Sequence, residues 1–456
     1  MPGQDLEALA TEAYLHGYPL VADLTEVERF ARLGMGGLPA VGFNRFSHAT
    51  RLAGPDDTFL SVNNDTIYSI AQLDLGVGPL LLQVPDTAGR YYVLQLVDAW
   101  TNNFAYVGSR ATGTSAGRYL LTPPGWEGEV PAGAVRIACP TRVASIVGRW
   151  ACCAGRGDLP TVAALQQQVA LTPLVDAGPG AGGADPGSWP DTATGLPTPT
   201  AGVPVDLELF ERMRVWMRAF PPAPVDVDHQ RRFGPLGLLA DESPFLDAPP
   251  ELAKALNAGV AAGREILDAL SKTAAPAVDG WHSMPHVFDY NLDFFEVGTL
   301  DDPRWKIADR AEARRSRALA ARVGLWGNHG YETAYAQVFT DSDGLPLDGG
   351  HRYRIRFDAL PPVGAFWSLT MYDRPGFHLV ANPINRYSIG NRTPGLTYGP
   401  DGSLTLLLQY HAPDEADQPN WLPAPEGGFR PMLRMYQPGS AVLDGSYRLP
   451  PIVRIE

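Results

Sequence analysis

The chain has 456 residues, 45% hydrophobic and 10% aromatic, with 36 basic against 50 acidic side chains and a formal charge of -14. That length exceeds one ordinary core, so two or three domains are expected; the acidic balance disfavours nucleic acid and anionic membrane surfaces, which carry charge of the same sign. No apolar run approaches the length of a membrane span, and Cys139 with the adjacent pair Cys152 and Cys153 does not make a disulfide framework.

The chain starts at Met1 directly in a helix-like pattern, without a cationic and apolar leader, so a cytoplasmic location is expected. Residues 5–30 place Leu6, Leu9, Ala10, Ala13, Tyr14 and Tyr18 at helical spacing, interrupted at Pro19. From about 58 to 149 the period becomes two. Ile67, Ser69, Ala71 and Leu73 alternate there with Tyr68, Ile70, Gln72 and Asp74, and further strands are expected at 80–84, 91–97, 118–122, 135–138 and 144–150. Gly and Pro clusters punctuate them as in a β-sandwich.

Helix returns over 161–171, followed by a Gly/Pro-rich run from 176 to 204 that reads as a linker. Asp206 is expected to cap a helix with Leu207, Phe210, Met213, Met217 and Phe220 on one side. Two more helices are expected, from Pro249-Pro250 to about 271 and over 309–325. From 335 to 456 the pattern is β again, with turns at 341–344, 348–350 and 400–403. The fold class is therefore mainly β with a helical insert. An N-terminal helix and sandwich span 1–155, a helical region spans 156–325, and a jelly-roll-like sandwich spans 326–456.

Several motifs carry two readings. Gly113-Thr114-Ser115-Ala116-Gly117 has the spacing of a nucleophile elbow, but a strand follows Ser115 where the elbow needs a helix, so a glycine-rich turn accounts for it better. His282 and His286 have the spacing of helical zinc ligands with Pro285 between them, and no Glu follows His282, so no metal site is expected. Asp341, Asp343 and Asp348 read as turn residues because the rest of a calcium loop is missing. Asn63-Asn64-Asp65-Thr66 precedes the strand containing Tyr68; such residues make Asx turns and equally supply hydrogen-bonding groups at a pocket rim. Asp98, Trp100 and Asn102 repeat that character at the end of another strand, with Arg110 soon after, and the two clusters are expected to converge. His48 is the titratable candidate, since imidazole exchanges a proton near neutral pH.

The last hundred residues are the densest in polar-aromatic motifs: Phe366 to Asp373 with Trp367 and Tyr372, Asn382 to Gly390 with Arg386, and Asn420-Trp421-Leu422-Pro423. Such residues are costly core fillers because each carries a polar handle that needs a partner when buried. These motifs, with Ala13 to Leu20, Val62 to Ser69 and Trp100-Thr101-Asn102, together resemble a pair of bacterial domains, domain of unknown function 1254 followed by 1214. The resemblance covers roughly 10–150 and 310–456. It implies an immunoglobulin-like first sandwich, a helical insert and a jelly-roll-like last domain, and it implies no reaction. Many relatives look exported, which this chain does not, and 160–303 matches the family poorly.

The functional expectation is a small-molecule enzyme without cofactor, acting on a neutral or cationic organic compound by hydrolysis, elimination, isomerisation or cyclisation in a pocket between the β-domains. Asn63, Asn64, Tyr68, Trp100, Asn102, Arg110, Trp367, Asn382 and Trp421 would line it. Arg110 or Arg386 would stabilise negative charge, and His48, Asp65 or Tyr372 would move a proton. The alternative is a non-catalytic ligand- or carbohydrate-binding protein whose aromatics stack on sugar faces; a third reading makes Trp367 and Trp421 plain core. A homo-oligomer is compatible with all three.

Overall fold

The computed structural model describes residues 5–57, 61–153, 157–174, 195–273 and 277–455, so the low-complexity stretch at 178–183 lies outside the described residues. Nine strands form the first sandwich: β1 (Phe46–His48), β2 (Thr66–Asp74), β3 (Leu80–Val84), β4 (Tyr92–Asp98), β5 (Asn103–Gly108), β6 (Gly117–Thr122), β7 (Val135–Ala138), β8 (Val143–Ala151) and β9 (Ala170–Pro173). One sheet runs β1-β2-β8-β4-β5 and the other β7-β6-β3-β9. Ile67, Ala71, Leu94, Ile146 and Trp150 of the first share one core with Leu80, Leu82, Val84, Tyr119 and Leu121 of the second. All nine residues of β8 are buried, because the sheet's outer face is covered as well.

That cover is partly helical. The helices are α1 (Leu6–Leu33), α2 (Leu159–Gln166), α3 (Glu208–Ala219), α4 (Val227–Arg231), α5 (Pro250–Thr273) and α6 (Arg310–Val323), with a single turn, α7 (Ser440–Leu443), near the end. α1 packs along α3, α5 and α6 and continues through Pro19 without a break, since burial of its apolar face outweighs one missing backbone hydrogen bond. Its approach to α5 is close: a Cβ at Gly259 would sit 2.5 Å from the Ala10 Cβ, and one at Gly263 would sit 2.2 Å from the Tyr14 ring. Among the described residues, no helix is long and apolar enough to cross a membrane.

Two local expectations are corrected. Asp206 does not cap α3; a single 3-10 turn precedes that helix, and the Asp206 carboxylate instead accepts the Asn257 amide from α5 at 2.7 Å. The helix expected over 161–171 stops at Gln166, and Ala170–Pro173 leaves it to pair with β3. Pairing there satisfies an otherwise open sheet edge and buries Leu171.

The second sandwich contains β10 (Ala277–Val278), β11 (Trp281–Ser283), β12 (Thr333–Val338), β13 (Tyr353–Phe357), β14 (Val363–Asp373), β15 (Ser388–Gly390), β16 (Leu404–Gln409), β17 (Trp421–Pro423), β18 (Phe429–Pro438) and β19 (Ile452–Arg454). Its sheets run β10-β11-β12-β18-β14-β15 and β17-β16-β13-β19. Trp367, Leu369, Leu433 and Met435 meet Tyr353, Ile355, Leu404 and Leu406 in its core. The period of two then sends Phe366, Ser368, Thr370 and Tyr372 to the outer face, opposite Tyr436, Arg434, Met432 and Arg430. This polar outer face lies against the first sandwich.

Candidate functional site

The seam between the sandwiches is built around the turn that starts β2. The Asn63 side-chain oxygen accepts the backbone N–H groups of Asp65 and Thr66, each at 3.0 Å, which is the Asx turn its sequence suggests. The turn aims the 61–65 backbone at the second sandwich. There the Tyr372 hydroxyl donates to Val62 O at 2.6 Å, Arg434 donates to Ser61 O at 2.7 Å, and Arg430 donates to the Ser61 hydroxyl at 2.5 Å. Arg392 donates to Asp65 O at 2.9 Å while its guanidinium lies 3.4 Å from the Phe366 ring centre. Ser388 Oγ donates to the Asn64 side-chain oxygen at 3.3 Å.

Beside these ties the sandwiches enclose a cleft of about 540 Å³, lined by Asn64, Asp65, Trp367, Ser368, Arg386, Ser388 and Arg392 among others. Cys153 and Arg392 also line a neighbouring groove of about 770 Å³ that runs past Arg90, Tyr91 and Phe366. Four sequence-designated residues, Asn64, Asp65, Trp367 and Arg386, thus meet at one cleft. Asn382 stands next to it, its side chain stapling the turn by accepting from Arg386 N at 3.0 Å and donating to Arg386 O at 2.9 Å.

The electrostatics favour negative charge. Arg386 donates to three carbonyls, those of Gln418, Pro419 and Trp421, and burial lowers its pKa. Arg430 is pushed down to about 10 by burial and so remains a cation at neutral pH. Among the described residues none of Arg386, Arg392, Arg430 and Arg434 has a carboxylate within ion-pair distance. The Asp65 carboxylate, 3% exposed, accepts from the Tyr436 hydroxyl at 3.4 Å. The Ser368 hydroxyl and the Arg430 Nε–H are buried without a hydrogen-bond partner among the described residues.

The other designated residues lie elsewhere. The Tyr372 hydroxyl is spent on backbone carbonyls and burial raises its pKa. Asn63 donates to the Tyr68 hydroxyl at 2.7 Å on the far side of the turn, away from the cleft lining. His48 is on the opposite face of the sheet from Tyr68, paired with Ser69. Ser69 Oγ accepts from Trp150 Nε1 at 2.9 Å and Gln166 Nε2 at 3.1 Å, so its own proton goes to His48 Nδ1 at 2.8 Å, and burial pushes that imidazole down to about 4. Trp421 is core, its indole N–H donating to Gln409 O at 2.9 Å. Trp367 is also buried, its ring 5.3 Å from that of Phe357, so it forms wall and not a stacking platform.

The two Asn-rich clusters do not converge. The register pairs Thr66 with Ala151 but Asp98 with Ala144, placing them seven residues apart along β8 and about 23 Å from each other at ~3.3 Å per residue. At the far end Trp100 donates to Phe220 O, and Asn102 bridges Asp98 and Arg317. Arg110 ties a different part of the seam, donating to Glu332 at 2.5 Å. Ser115 sits exposed in the turn before β6. His286 pairs with Asp289 at 2.7 Å, and no three His, Cys, Asp or Glu side chains are grouped to hold a metal among the described residues. Asp341 accepts the Asp343 and Leu345 N–H groups, as a turn residue does.

Sequence reasoning passed over Arg149, Arg392, Ser368, Arg430, Arg434 and Tyr436. A signal existed for two of them: Arg430 and Arg434 fall on one face of β18, a strand otherwise apolar enough to be buried on both sides.

Two family models match the chain: one described as a protein of unknown function (DUF1254), over residues 43–173, and one described likewise (DUF1214), over 332–440. No curated protein matches it. Among solved structures, the VPA0106 protein from Vibrio parahaemolyticus is 24% identical with a TM-score of 0.70, over 99% of this chain and 100% of that one, and it shares the fold. An uncharacterized protein from Burkholderia cenocepacia is 12% identical with a TM-score of 0.43, over 99% of this chain and 95% of that one.

Proposed function

We propose, for a chain that belongs to the two-domain DUF1254/DUF1214 family, that the cleft between the sandwiches binds a small organic molecule bearing an anionic or strongly accepting group, and converts it by acid–base chemistry. The observation that carries this reading is the convergence of Asn64, Asp65, Ser368, Arg386, Ser388 and Arg392 on one space of about 540 Å³, in the range of small-molecule sites. The guanidiniums there are partnered by neutral carbonyls, so a ligand anion gains charge-assisted hydrogen bonds without displacing a carboxylate. This replaces the neutral or cationic ligand expected from the sequence, because the cations gathered at the seam oppose the chain's net charge. Asp65 is the proton-transferring group of the reading, and Arg392 holds negative charge developing beside it. Hydrolysis, elimination, isomerisation and cyclisation all fall within that chemistry.

A second reading, non-catalytic binding, is favoured by one observation: neither His48 nor the Tyr372 hydroxyl faces the cleft, so Asp65 has no imidazole beside it among the described residues and its phenol partner is the buried Tyr436, at 3.4 Å. Both readings are tested by incubating the protein with a library of small organic acids and their amides, following binding by thermal shift and turnover by mass spectrometry. Acids are expected to stabilise the protein, Arg392→Gln to weaken them about tenfold, and Asp65→Asn to keep binding while abolishing product. Binding without product leaves the second reading. Binding that is indifferent to Arg392→Gln removes the cleft from both.

A further inference from the structure

We infer that a second, smaller pocket on the outer face of the first sandwich takes a short-chain carboxylate, its head held by Arg149 and Tyr68. This inference is independent of the cleft reading. Tyr68 and Arg149 are cross-strand partners on β2 and β8. They floor a cavity of about 90 Å³ roofed by the turn after α1 and by Leu325 and Trp326 after α6. Its walls are mainly apolar, with Leu38, Ile70, Val147 and Trp326 among them.

The floor is what a purely structural pocket would not need. Arg149 is 8% exposed. Its guanidinium donates to Gln95 Oε1 at 2.9 Å, Asn328 Oδ1 at 3.3 Å and Trp326 O at 2.9 Å, all neutral acceptors. No carboxylate lies within ion-pair distance of it among the described residues, so its charge is met by neutral acceptors and by the Tyr68 ring, whose centre lies 5.6 Å away. The Tyr68 oxygen accepts from Asn63 at 2.7 Å, so its proton remains to be donated, and no acceptor for it stands among the described residues. A phenol O–H and a guanidinium side by side match the two oxygens of one carboxylate. The carboxylate already at the mouth does not repel an anion: Asp57 accepts from Arg51 at 2.5 and 2.9 Å and from Gly54 N at 2.8 Å, which neutralises it. The volume equals about three waters at ~30 Å³ each. That space must hold head and tail together, so the acid is a short-chain one of butyrate size or less.

The test uses ligand-observed NMR on the full chain with sodium butyrate, and with butyramide and octanoate as controls. Butyrate is expected to bind saturably, with the amide about tenfold weaker and octanoate weaker because its tail exceeds the cavity. Arg149→Met also removes the anchor of the Trp326 segment and can unfold the chain, so two milder variants carry the test. Tyr68→Phe deletes one hydroxyl and is expected to weaken butyrate about tenfold. Ala53→Leu fills the pocket from its rim and is expected to abolish binding at this site, whereas butyrate held in the cleft responds to Arg392→Gln instead. Equal binding of acid and amide overturns the proposal, as does the absence of saturation. Loss of butyrate in Arg392→Gln with none in Tyr68→Phe overturns it too, and assigns the acid to the cleft.

Discussion

Glu332 is the most informative single residue to remove from the seam. Its carboxylate is 1% exposed; it accepts the Arg110 Nε–H at 2.5 Å and the Tyr91 hydroxyl at 3.0 Å, joining the first sandwich to the segment that enters β12. Arg110 also donates to Gly298 O at 2.6 Å and lies over the Tyr331 ring at 4.8 Å, so it cannot swing away cheaply. Replacing one member of a buried pair costs about 3–5 kcal/mol, because the other charge stays behind without a partner. The Arg110 side chain is 20% exposed and recovers some hydration, which places Glu332→Leu near the lower bound, about 3 kcal/mol, including ~1 kcal/mol for the orphaned Tyr91 hydroxyl. Arg110→Met with Glu332→Leu removes both charges and is expected to be less damaging than Glu332→Leu alone. The coupling in a double-mutant cycle is then about 2 kcal/mol. The assay is urea unfolding, reading the transition in which the sandwiches part. A coupling below about 0.5 kcal/mol, the scatter of non-interacting sites, would refute the claim that this pair clamps the seam.

Two further outcomes follow from the interior. The Trp421 indole N–H is bonded to Gln409 O, whereas the buried Trp367 N–H has no partner among the described residues. Trp421→Phe should therefore cost about 1 kcal/mol more than Trp367→Phe in chemical denaturation, and equal costs would show that the Trp367 N–H is satisfied after all. Burial pushes His48 down to about 4, and His16 and His329 down to about 3. The unfolded chain takes up protons at these sites below pH ~6.5 while the folded one does not, so their stabilisation is complete above that pH and is lost as pH falls toward 4. Burial raises Asp23 and Asp98, which act in the opposite sense, so the clean comparison is between variants. Between pH 7 and pH 5, His48→Leu is expected to lose about 1–2 kcal/mol less than the wild-type chain; parallel losses would mean that His48 titrates normally in the folded state.

What could be read ahead of the fold was local. The strands at 80–84 and 135–138 keep those bounds, and the helix expected over 309–325 forms as Arg310–Val323. The Asx turn at Asn63 follows from side-chain reach over two or three residues, and the apolar alternation marks β2. Pro19 misled, because its local penalty is overridden by packing against α5. Trp100 and Asn102 misled for a different reason: strand ends look alike in a sequence, and only the pairing of β2, β8 and β4 says that these two ends are opposite.

By its own spacing, then, the sequence determined a β-rich chain with a helical middle and a polar-aromatic turn at 63–66, since alternation, capping and turn chemistry depend on near neighbours. The tertiary structure alone decided that Asp65 meets Ser368, Arg386 and Arg392, that Trp421 is core, and that Arg149 lies beneath a mainly apolar pocket with no carboxylate partner among the described residues. The contacts at the cleft join segments hundreds of residues apart through the outer faces of two sheets. Which outer faces meet is set by strand register and by how the sandwiches pack, and neither leaves a periodic trace in the chain.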